Sequence, residues 1–392
     1  MTDPRIHMSK PALGDAERQA VLEVLSTPTL SMGAQTAAFE QAVAEYVGAQ
    51  HAIAVNSGTA GLHLCVRAAG IAAGDLVLTT PFSFVASSNV MLFENAVPVF
   101  VDVDPVSGNL DVAQLTEAAD ALAAGGAAAQ TWLPRQGVDA GAALKAILPV
   151  DVFGQPADYD AIQAVASQHE LAIIEDSCEA IGAHYRGRPA GLLGDMGVFA
   201  FYPNKQMTTG EGGVVVTNDG QVADFMRALR NQGRAVHDAW LQHTHLGYNY
   251  RITELSAALG RVQLGRLDEL LAAREQVAGW YTDRLSGMAG VEAPVVIKST
   301  TRMSWFVYVV RLAQGIDRED VIHRLDAAGI PSRAYFKPIH LQPYMMERFG
   351  YQPGDFPVTE DLGARGLALP FSSVMNEAEV ELVCSELRKV LG

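Results

Sequence analysis

Short apolar segments alternate with amphipathic ones along this chain as far as Thr217. Apolar residues recur at helical spacing in segments 15–25, 36–47, 62–69, 84–94 and 159–169. Brief apolar runs stand between and after them, at 51–55, 75–79, 97–101, 146–150, 171–174, 197–201 and 213–217. Because strands that alternate with helices form parallel sheets covered on both faces, this pattern predicts an α/β fold with a largely parallel sheet.

The chain changes character near residue 250. A long helical pattern runs from about 252 to 285 and is followed by a predicted strand at 305–312 and a predicted helix at 318–328. For 392 residues we therefore predict a large domain at 1–250 and a smaller C-terminal domain at 251–392.

One segment of the first half breaks the alternation. Residues 121–143 are rich in Ala and Gly and contain a lone Trp132. We predict a partly mobile surface insertion there.

Charge and cysteine content exclude several classes of protein. The formal net charge is −16, whereas nucleic acids and anionic membranes require basic surface. Cys65, Cys178 and Cys384 lack metal-ligand spacing, so we expect reduced thiols in a cytoplasmic protein and no metal. The N-terminus lacks the apolar core of a signal peptide, and no uncharged apolar run is long enough for a membrane span.

A single lysine stands in a glycine-rich loop of a lysine-poor chain. The chain has six lysines, and Lys205 lies in the segment FAFYPNKQMTTGEGG. A lysine amine forms a Schiff base with an aldehyde cofactor, which arginine cannot do. A solvated loop lysine is the alternative, and the loop alone does not decide between them.

Other candidate site residues follow predicted strands. Asp176 ends an apolar strand, where its carboxylate could pair with a protonated pyridine nitrogen or simply cap a helix. Gly58 and Thr59 open a helix whose free N–H groups suit a phosphate, although such turns also cap many helices. An aromatic residue of the segment PFSF, Phe82 or Phe84, could stack on a planar ring or pack in the core. Together with Lys205, these residues describe a pyridoxal phosphate (PLP) site.

With these motifs in place, the chain resembles the DegT/DnrJ/EryC1/StrS aminotransferases, sugar aminotransferases of PLP fold type I. The resemblance covers nearly the whole chain except residues 121–143. It rests on the segments MSKP, NSGTAGLHL, TTPFSFVAS, VFVDVDP, FGQPADYDAI, EDSCEAIGA, the lysine loop and LGYNYRITELSAALG. It implies an aspartate aminotransferase-like fold, with a large PLP domain and a small C-terminal α+β domain.

The resemblance also implies roles for individual residues. Lys205 matches the lysine that forms the internal aldimine and moves the proton, and Asp176 matches the partner of the pyridine nitrogen. Glu179 stands where many members have Gln, beside the ring hydroxyl, as in the perosamine synthase branch. Asn249 matches an asparagine that reaches the phosphate of the neighbouring subunit, which implies a homodimer with shared sites. The phosphate cradle and the ring stacker correspond to Gly58, Thr59 and Phe84.

Two positions depart from the family pattern. Many members have a phosphate-binding Ser five residues before the lysine, where this chain has Ala200. Many have His three residues before the lysine, where this chain has Tyr202. The phosphate therefore loses one hydroxyl contact in this expectation, and the substrate entrance differs.

The family's reaction implies small-molecule partners. Glutamate is its usual amino donor and a nucleotide-linked keto sugar its usual acceptor, with the cofactor cycling between PLP and pyridoxamine phosphate. Candidate substrate-binding residues are Tyr202, Arg234, Arg251, Tyr335, Lys337 and His340. Surface charge or ion pairing is the alternative for the cations, and a structural role is the alternative for the histidine.

Several functional alternatives stay open. The acceptor could be a cyclitol or an aminobenzoate precursor, or the enzyme could be a PLP-dependent dehydratase, although those dehydratases usually replace the lysine by His. A non-catalytic regulatory protein would be expected to have a damaged site. A Rossmann dehydrogenase, a P-loop enzyme, a G-x-S-x-G hydrolase and a zinc enzyme are disfavoured because their motifs do not occur.

Overall fold

The computed structural model describes residues 6–139, 141–235 and 238–392. Its strands in chain order are β1 His51–Val55, β2 Leu76–Thr79, β3 Val97–Phe100, β4 Leu144–Leu148, β5 Ala172–Asp176, β6 His184–Tyr185, β7 Arg188–Pro189, β8 Met196–Ala200, β9 Gly213–Thr217, β10 Val291–Glu292, β11 Thr300–Arg302, β12 Tyr308–Leu312, β13 Arg333–Ala334 and β14 Gly366–Leu369.

The helices cover most of the remaining chain. They are α1 Asp15–Leu25, α2 Ala34–Val47, α3 Gly58–Ala68, α4 Ala86–Phe93, α5 Val112–Ala124, α6 Gly126–Gln130, α7 Tyr159–His169, α8 Gly220–Arg230, α9 Glu254–Gly265, α10 Leu267–Leu285, α11 Arg318–Ala327, α12 Pro343–Phe349, α13 Pro357–Arg365 and α14 Glu377–Leu391. None of these helices is long and apolar enough to cross a membrane.

A seven-stranded sheet in the order β1-β9-β8-β5-β4-β2-β3 forms the centre of the molecule. The pairs from β8 through β5, β4 and β2 to β3 are parallel, and β9 runs antiparallel to both of its neighbours. Helices α3, α4 and α8 pack on one face, and α2, α5 and α7 pack on the other. The predicted α/β class with a largely parallel sheet is confirmed.

The burial of the central strands agrees with their apolar composition. The sequence of β9 is GVVVT and all five residues are buried. β-branched residues fit the pleated surface of a sheet covered on both faces, where alternation with polar residues is not needed.

A second sheet, in the order β10-β12-β14-β13, lies in the C-terminal part of the chain. Helices α10, α11 and α14 pack against its residues in one apolar core. Helix α9 packs instead against α1 and α2 of the first part. The domain boundary at residues 250 and 251 therefore stays a prediction.

The long helical pattern predicted at 252–285 is two helices, which is a correction. The break falls at Arg266, with φ −107° and ψ 5°, directly after Gly265. Glycine is a poor helix former, so the break costs little there.

The strand predicted at 305–312 is shorter than expected and begins at Tyr308. The carbonyls of Trp305 and Phe306 accept hydrogen bonds from the Arg274 guanidinium. The Phe306 N–H donates to the Phe153 carbonyl. These groups are therefore not available to a sheet.

The Ala/Gly-rich segment is packed against the molecule. Trp132 and Leu133 are partly buried against the core on the α5 and α7 face. Arg135 pairs with Asp355, with Nη1–Oδ2 and Nη2–Oδ1 distances of 2.6 and 2.7 Å. Part of the predicted surface insertion thus packs against the core, its partial mobility stays a prediction, and Ala140 lies outside the described residues.

Candidate active site

The predicted site residues meet at one edge of the central sheet. Strands β1, β2, β5 and β8 all end there, and the segments that follow them carry Gly58 and Thr59, Phe84, Glu179 and Lys205. In open α/β sheets ligands bind at the carboxyl ends of the strands, because the loops there converge. The topology therefore brings together segments that are more than a hundred residues apart in the sequence.

Lys205 and Glu179 form a buried ion pair. Lys205 Nζ lies 3.3 Å from Glu179 Oε1, and the side chains of both residues are largely buried. The other carboxylate oxygen of Glu179 accepts a hydrogen bond of 2.9 Å from the Phe153 N–H. Burial raises the pKa of Glu179, while the Lys205 charge and the Phe153 N–H oppose that rise. The Lys205 amine is thus fixed by an ion pair in a largely buried position, so the alternative of a solvated loop lysine does not apply.

An aromatic ring and a buried arginine complete the surroundings of the lysine. Nζ lies 3.8 Å from the ring centroid of Phe306. Arg274 donates hydrogen bonds to the carbonyls of Asn204, Lys205, Trp305 and Phe306 at 2.7 to 3.3 Å. The guanidinium thereby ties the lysine loop to the segment that carries Phe306.

Asp176 is a buried hydrogen-bond acceptor. Ser87 Oγ donates to Asp176 Oδ2 at 2.6 Å, and the Cys178 N–H donates to Oδ1 at 3.2 Å. No helix begins in residues 177–183, so Asp176 is not a helix cap. A carboxylate with one short hydrogen bond and a second long one retains lone pairs for a cationic partner.

The turn at Gly58 exposes backbone donors. Ser57 Oγ accepts from the Ala60 N–H at 3.1 Å and caps α3. In the described structure the N–H groups of Gly58 and Thr59 have no acceptor, and they stand at the positive end of a helix. A Cβ on Gly58 would lie 2.7 Å from the Cβ of Ala200, so the two small residues let these segments approach closely.

Phe84 is exposed in a segment whose other aromatic residue is buried. Its exposed fraction is 62%, whereas Phe82 is buried and contacts the rings of Phe153 and Phe336 edge-on. The core-packing alternative thus applies to Phe82. The ring of Phe84 is available to a planar partner at the sheet edge.

We predict that Phe84→Ala weakens PLP binding and leaves the stability of the cofactor-free protein nearly unchanged. An aromatic pair contributes about 0.5–1.5 kcal/mol, so the Kd for PLP should rise roughly twofold to twelvefold. Fluorescence titration with PLP measures this change. Phe93→Ala is the matched control, since Phe93 is 53% exposed and packs against His63 instead. Equal Kd values for Phe84→Ala and the unmodified protein would contradict the assignment.

The remaining substrate candidates differ in position. Tyr202 is exposed, and its carbonyl accepts from the Lys205 N–H at 2.9 Å. Tyr335 is half-buried next to Phe153 and Phe306, and burial together with the Glu179 charge raises its pKa to about 12. Lys337 is exposed two residues further on. Tyr335 therefore lies near the Lys205–Glu179 ion pair, and Tyr202 belongs to the loop that carries Lys205.

His340 is placed away from any exposed surface. Its exposed fraction is 0%, and its Nε2 lies 3.0 Å from Glu360 Oε1. Its ring packs edge-on against Phe356. A fully buried side chain cannot contact a substrate without rearrangement, so this geometry favours the structural alternative.

We predict that His340 makes the protein less stable in mild acid. Burial lowers the pKa of His340 below its ordinary value of 6.5, although the nearby Glu360, Asp355 and Asp102 oppose the shift. The unfolded chain then binds the proton more readily. The stabilisation is complete above pH 6.5 and is lost as the pH falls through the folded-state pKa.

Urea unfolding of His340→Gln between pH 5 and 8 tests this prediction. The free energy of unfolding should vary less with pH than in the unmodified protein. His323→Gln is the control because His323 is exposed. An unchanged pH dependence in His340→Gln would show that the histidine is not responsible.

Asn249 and Arg251 lie next to the turn at residues 56–59, which carries the candidate phosphate-binding N–H groups of Gly58 and Thr59. The Asn249 carbonyl accepts from Asn56 Nδ2 at 3.4 Å, and the Asn249 side chain is exposed and makes no hydrogen bond to the described residues. Arg251 donates to Asn231 Oδ1 at 3.1 Å. Arg234 lies over the ring of the exposed Trp240, 4.9 Å from its centroid.

Three polar residues of the site were missed by the sequence reasoning. Ser87 bonds Asp176, Arg274 supports the lysine loop, and Gln206 donates to the carbonyls of Glu179 and Ser304. Arg274 had a signal, since it occupies an apolar stripe of α10 with Leu270, Val277 and Tyr281. A charged residue in such a stripe needs internal hydrogen-bond partners.

The residues present fit PLP. The free N–H groups at Gly58 and Thr59 suit a phosphate, the exposed Phe84 ring suits a flat heterocycle, and the buried Asp176 suits a protonated ring nitrogen. Lys205 supplies the amine that reacts with an aldehyde. Each group stands at the same edge of the sheet, as the cofactor requires.

Comparison with known proteins supports this assignment. The model of the DegT/DnrJ/EryC1/StrS aminotransferase family matches residues 11–388. GDP-perosamine synthase of Caulobacter vibrioides is 41% identical over 391 residues, which is 99% of both chains.

Solved structures agree with the sequence comparison. A DegT DnrJ EryC1 StrS aminotransferase from Brucella abortus has a TM-score of 0.86 at 32% identity, covering 96% of this chain and 95% of the other. A 3-amino-5-hydroxybenzoic acid synthase has a TM-score of 0.87 at 28% identity and covers 100% of both chains. The chain thus belongs to the DegT/DnrJ/EryC1/StrS aminotransferase family and is a PLP-dependent aminotransferase of fold type I.

Proposed function

We propose that this enzyme transfers the amino group of L-glutamate to a keto sugar linked to a nucleotide, with GDP as the first nucleotide to test. The observation that carries the proposal is the buried pair of Lys205 and Glu179 at the edge of the sheet that also holds Asp176. The choice of GDP is supported by the similarity to GDP-perosamine synthase over nearly the whole of both chains.

The chain's own groups divide the work of the reaction. When bound, PLP supplies an aldehyde that carries the amino group and a ring that withdraws electrons from the reacting carbon, cycling between its aldehyde and amine forms. Lys205 Nζ takes the proton from the α-carbon of the donor. In the second half-reaction it gives a proton to the acceptor carbon that receives the amino group. Asp176 keeps the ring nitrogen protonated. Glu179 holds Nζ in position between these steps.

Local cations are needed to bind a nucleotide diphosphate on an acidic protein. The formal net charge is −16, so the overall field repels such a substrate. Arg234, Arg251 and Lys337 are the proposed phosphate ligands. Tyr202, in the loop of Lys205, and Tyr335, near Glu179, are the proposed sugar contacts.

A homodimer would complete the site in this proposal. Asn249 is exposed beside the phosphate turn of its own chain, and Trp240, Leu241 and Leu246 are exposed large apolar side chains of the same segment. Exposed apolar residues in one segment suit burial against a second protein surface. In the proposed dimer Asn249 reaches the phosphate site of the partner.

Absorbance spectra of the PLP-loaded protein test the first half of the proposal. On titration with L-glutamate, the band of the aldehyde form should fall and that of the amine form should rise. The amine form should then return to the aldehyde form on addition of a GDP-linked keto sugar. A failure of glutamate to change the spectrum would refute the donor, and a failure of every nucleotide keto sugar would refute the acceptor class.

A second acceptor class is retained because of one structural neighbour. The similarity to a 3-amino-5-hydroxybenzoic acid synthase supports a cyclic ketone without a nucleotide, such as a cyclitol or an aminobenzoate precursor. The same amine-form protein, offered such ketones, distinguishes the two classes. The presence of Lys205 disfavours a dehydratase, and the intact site disfavours a purely regulatory protein.

A further inference from the structure

A buried cluster of acidic and hydroxyl groups lies behind Asp176, on the other side of β5. It consists of Asp151, Glu175 and Ser177, whose exposed fractions are all 0%. Side chains alternate along a strand, so Glu175 and Ser177 point away from the face that presents Asp176. The aminotransferase mechanism described above makes no use of this cluster.

Glu175 is fully supplied with hydrogen-bond donors. Its Oε2 accepts from the N–H groups of Leu193 and Gly194 at 2.8 and 3.2 Å. Its Oε1 accepts from the Gly191 N–H and lies 2.7 Å from Ser177 Oγ. Three backbone donors directed at one carboxylate stabilise its ionised form.

Asp151 has fewer donors and a short contact. Its Oδ1 accepts from the Ala157 N–H and the Tyr159 hydroxyl, both at 3.0 Å. Its Oδ2 lies 2.5 Å from Ser177 Oγ. No backbone N–H of the described residues is directed at Oδ2.

The hydroxyl of Ser177 cannot donate to both acids. It has one hydrogen atom, yet Oγ lies within hydrogen-bond distance of two carboxylate oxygens. One of the two contacts therefore needs a hydrogen supplied by a carboxylic acid. Two ionised carboxylates facing one buried hydroxyl would repel each other, and the single hydrogen of Ser177 could stabilise only one of them.

We propose that Asp151 is a neutral carboxylic acid that donates from Oδ2 to Ser177 Oγ, which in turn donates to the ionised Glu175, and that this chain of bonds positions Asp176. Burial and the Glu175 charge both raise the pKa of Asp151 well above its ordinary value. Burial also raises the pKa of Glu175, but the hydrogen bonds from Gly191, Leu193, Gly194 and Ser177 oppose that rise. The titratable groups that interact with Asp151 are Glu175 and Tyr159, and Tyr159 interacts in turn with Asp176.

The cluster acts on Asp176 through the backbone. The Asp151 N–H donates to the Asp176 carbonyl, and the Asp176 N–H donates to the Pro149 carbonyl, both at 3.0 Å. Glu175 and Ser177 flank Asp176 in the chain, so the cluster holds the residue on both sides. This consequence for the cofactor nitrogen rests on the proposed function, whereas the protonation state of Asp151 does not.

Infrared difference spectroscopy of the full-length protein at pH 8 tests the protonation state. The unmodified protein should show the carbonyl stretch of a protonated carboxylic acid, and Asp151→Asn should lose it. Asp195→Asn is the matched control, because Asp195 is exposed and caps the start of β5 through the Ile173 N–H. A band that survives in Asp151→Asn and disappears in Glu175→Gln would place the proton on Glu175 and overturn the proposal.

A pair of substitutions tests the positioning role. An Asn amide at 151 can donate to Ser177 and accept from Ala157 and Tyr159, so the Kd for PLP should stay within about threefold of the unmodified value. In Glu175→Gln, the N–H groups of the new amide would face backbone N–H groups that now donate to the carboxylate. The Kd for PLP should therefore rise roughly tenfold or more. If Glu175→Gln does not fold, Ser177→Ala replaces it, with a smaller rise expected.

The visible spectrum separates a positioning role from a merely structural one. Displacement of Asp176 should change the pH dependence of the absorbance of bound PLP in Glu175→Gln or Ser177→Ala, whereas Asp151→Asn should retain the original profile. Equal effects of substitutions at 151 and 175 would overturn the assignment. If the unmodified protein shows the infrared band but does not turn over glutamate, the result counts against the proposed function alone.

Discussion

Lys205→Ala is expected to lose at least about 10²- to 10⁴-fold in turnover, the contribution typical of one positioned acid–base group. The amine is held by Glu179 at 3.3 Å and lies over the ring of Phe306. No second lysine of the described residues pairs with Glu179. We therefore expect no other lysine to replace Lys205 as the proton carrier.

The cofactor should still bind to this variant. Gly58, Thr59, Phe84 and Asp176 are unchanged, so PLP is retained without a covalent bond. Borohydride reduction followed by mass spectrometry should label the peptide containing Lys205 in the unmodified protein and no peptide in the variant. Lys298→Ala is the control, since Lys298 is exposed in the C-terminal part of the chain. Near-normal turnover of Lys205→Ala would refute the catalytic assignment.

Arg274→Leu is expected to destabilise the fold by about 3–5 kcal/mol, the cost typical of removing one partner from a buried charged network. The guanidinium is 2% exposed, and no carboxylate of the described residues pairs with it. Its charge is instead dispersed over four carbonyls, which would be left without donors. Burial lowers the pKa of Arg274 to about 10, so the side chain stays protonated at neutral pH.

Denaturant unfolding of the purified variant measures this loss. Turnover should also fall at temperatures where the variant remains folded, because two of the four carbonyls belong to Asn204 and Lys205. Arg324→Leu is the control, since Arg324 is half-exposed and pairs loosely with Asp320, a type of contact worth at most about 1 kcal/mol. Similar losses in the two variants would show that Arg274 is not a special support.

Much of the central sheet could be predicted from local pattern. Segments β1, β9, α1 and α7 have the predicted bounds, because continuous runs of β-branched residues and helical spacing of apolar residues leave few alternatives. Other boundaries moved by a few residues where a cap or a hydrogen bond to a distant group decided them. Helix α3 begins at Gly58, four residues before the predicted start, because Ser57 caps it.

Candidates for the reactive groups could also be named from the sequence, because their chemistry is local, and their roles stay predictions. An amine for an aldehyde, a carboxylate at a strand end and a glycine at a helix start are visible as residue types in a fixed order. The residue types did not decide between the functional and the structural alternative for each residue. Asp176 is an acceptor of Ser87 and not a helix cap, and Phe84 is exposed while Phe82 is buried.

The residue types and their order along the chain determined the class of fold and the family of this protein and singled out Lys205 as the proposed reacting lysine, since these depend on local periodicity and on functional groups. Tertiary structure alone decided which side chains support that lysine and which buried acids face each other across Ser177. Arg274 lies 69 residues along the chain from Lys205, whose carbonyl it binds, and Ser87 lies 89 residues from Asp176, whose carboxylate it binds. Hydrogen bonds at such separations arise only when the sheet brings its strand ends together, and burial then raises the cost of leaving any of these groups unpaired.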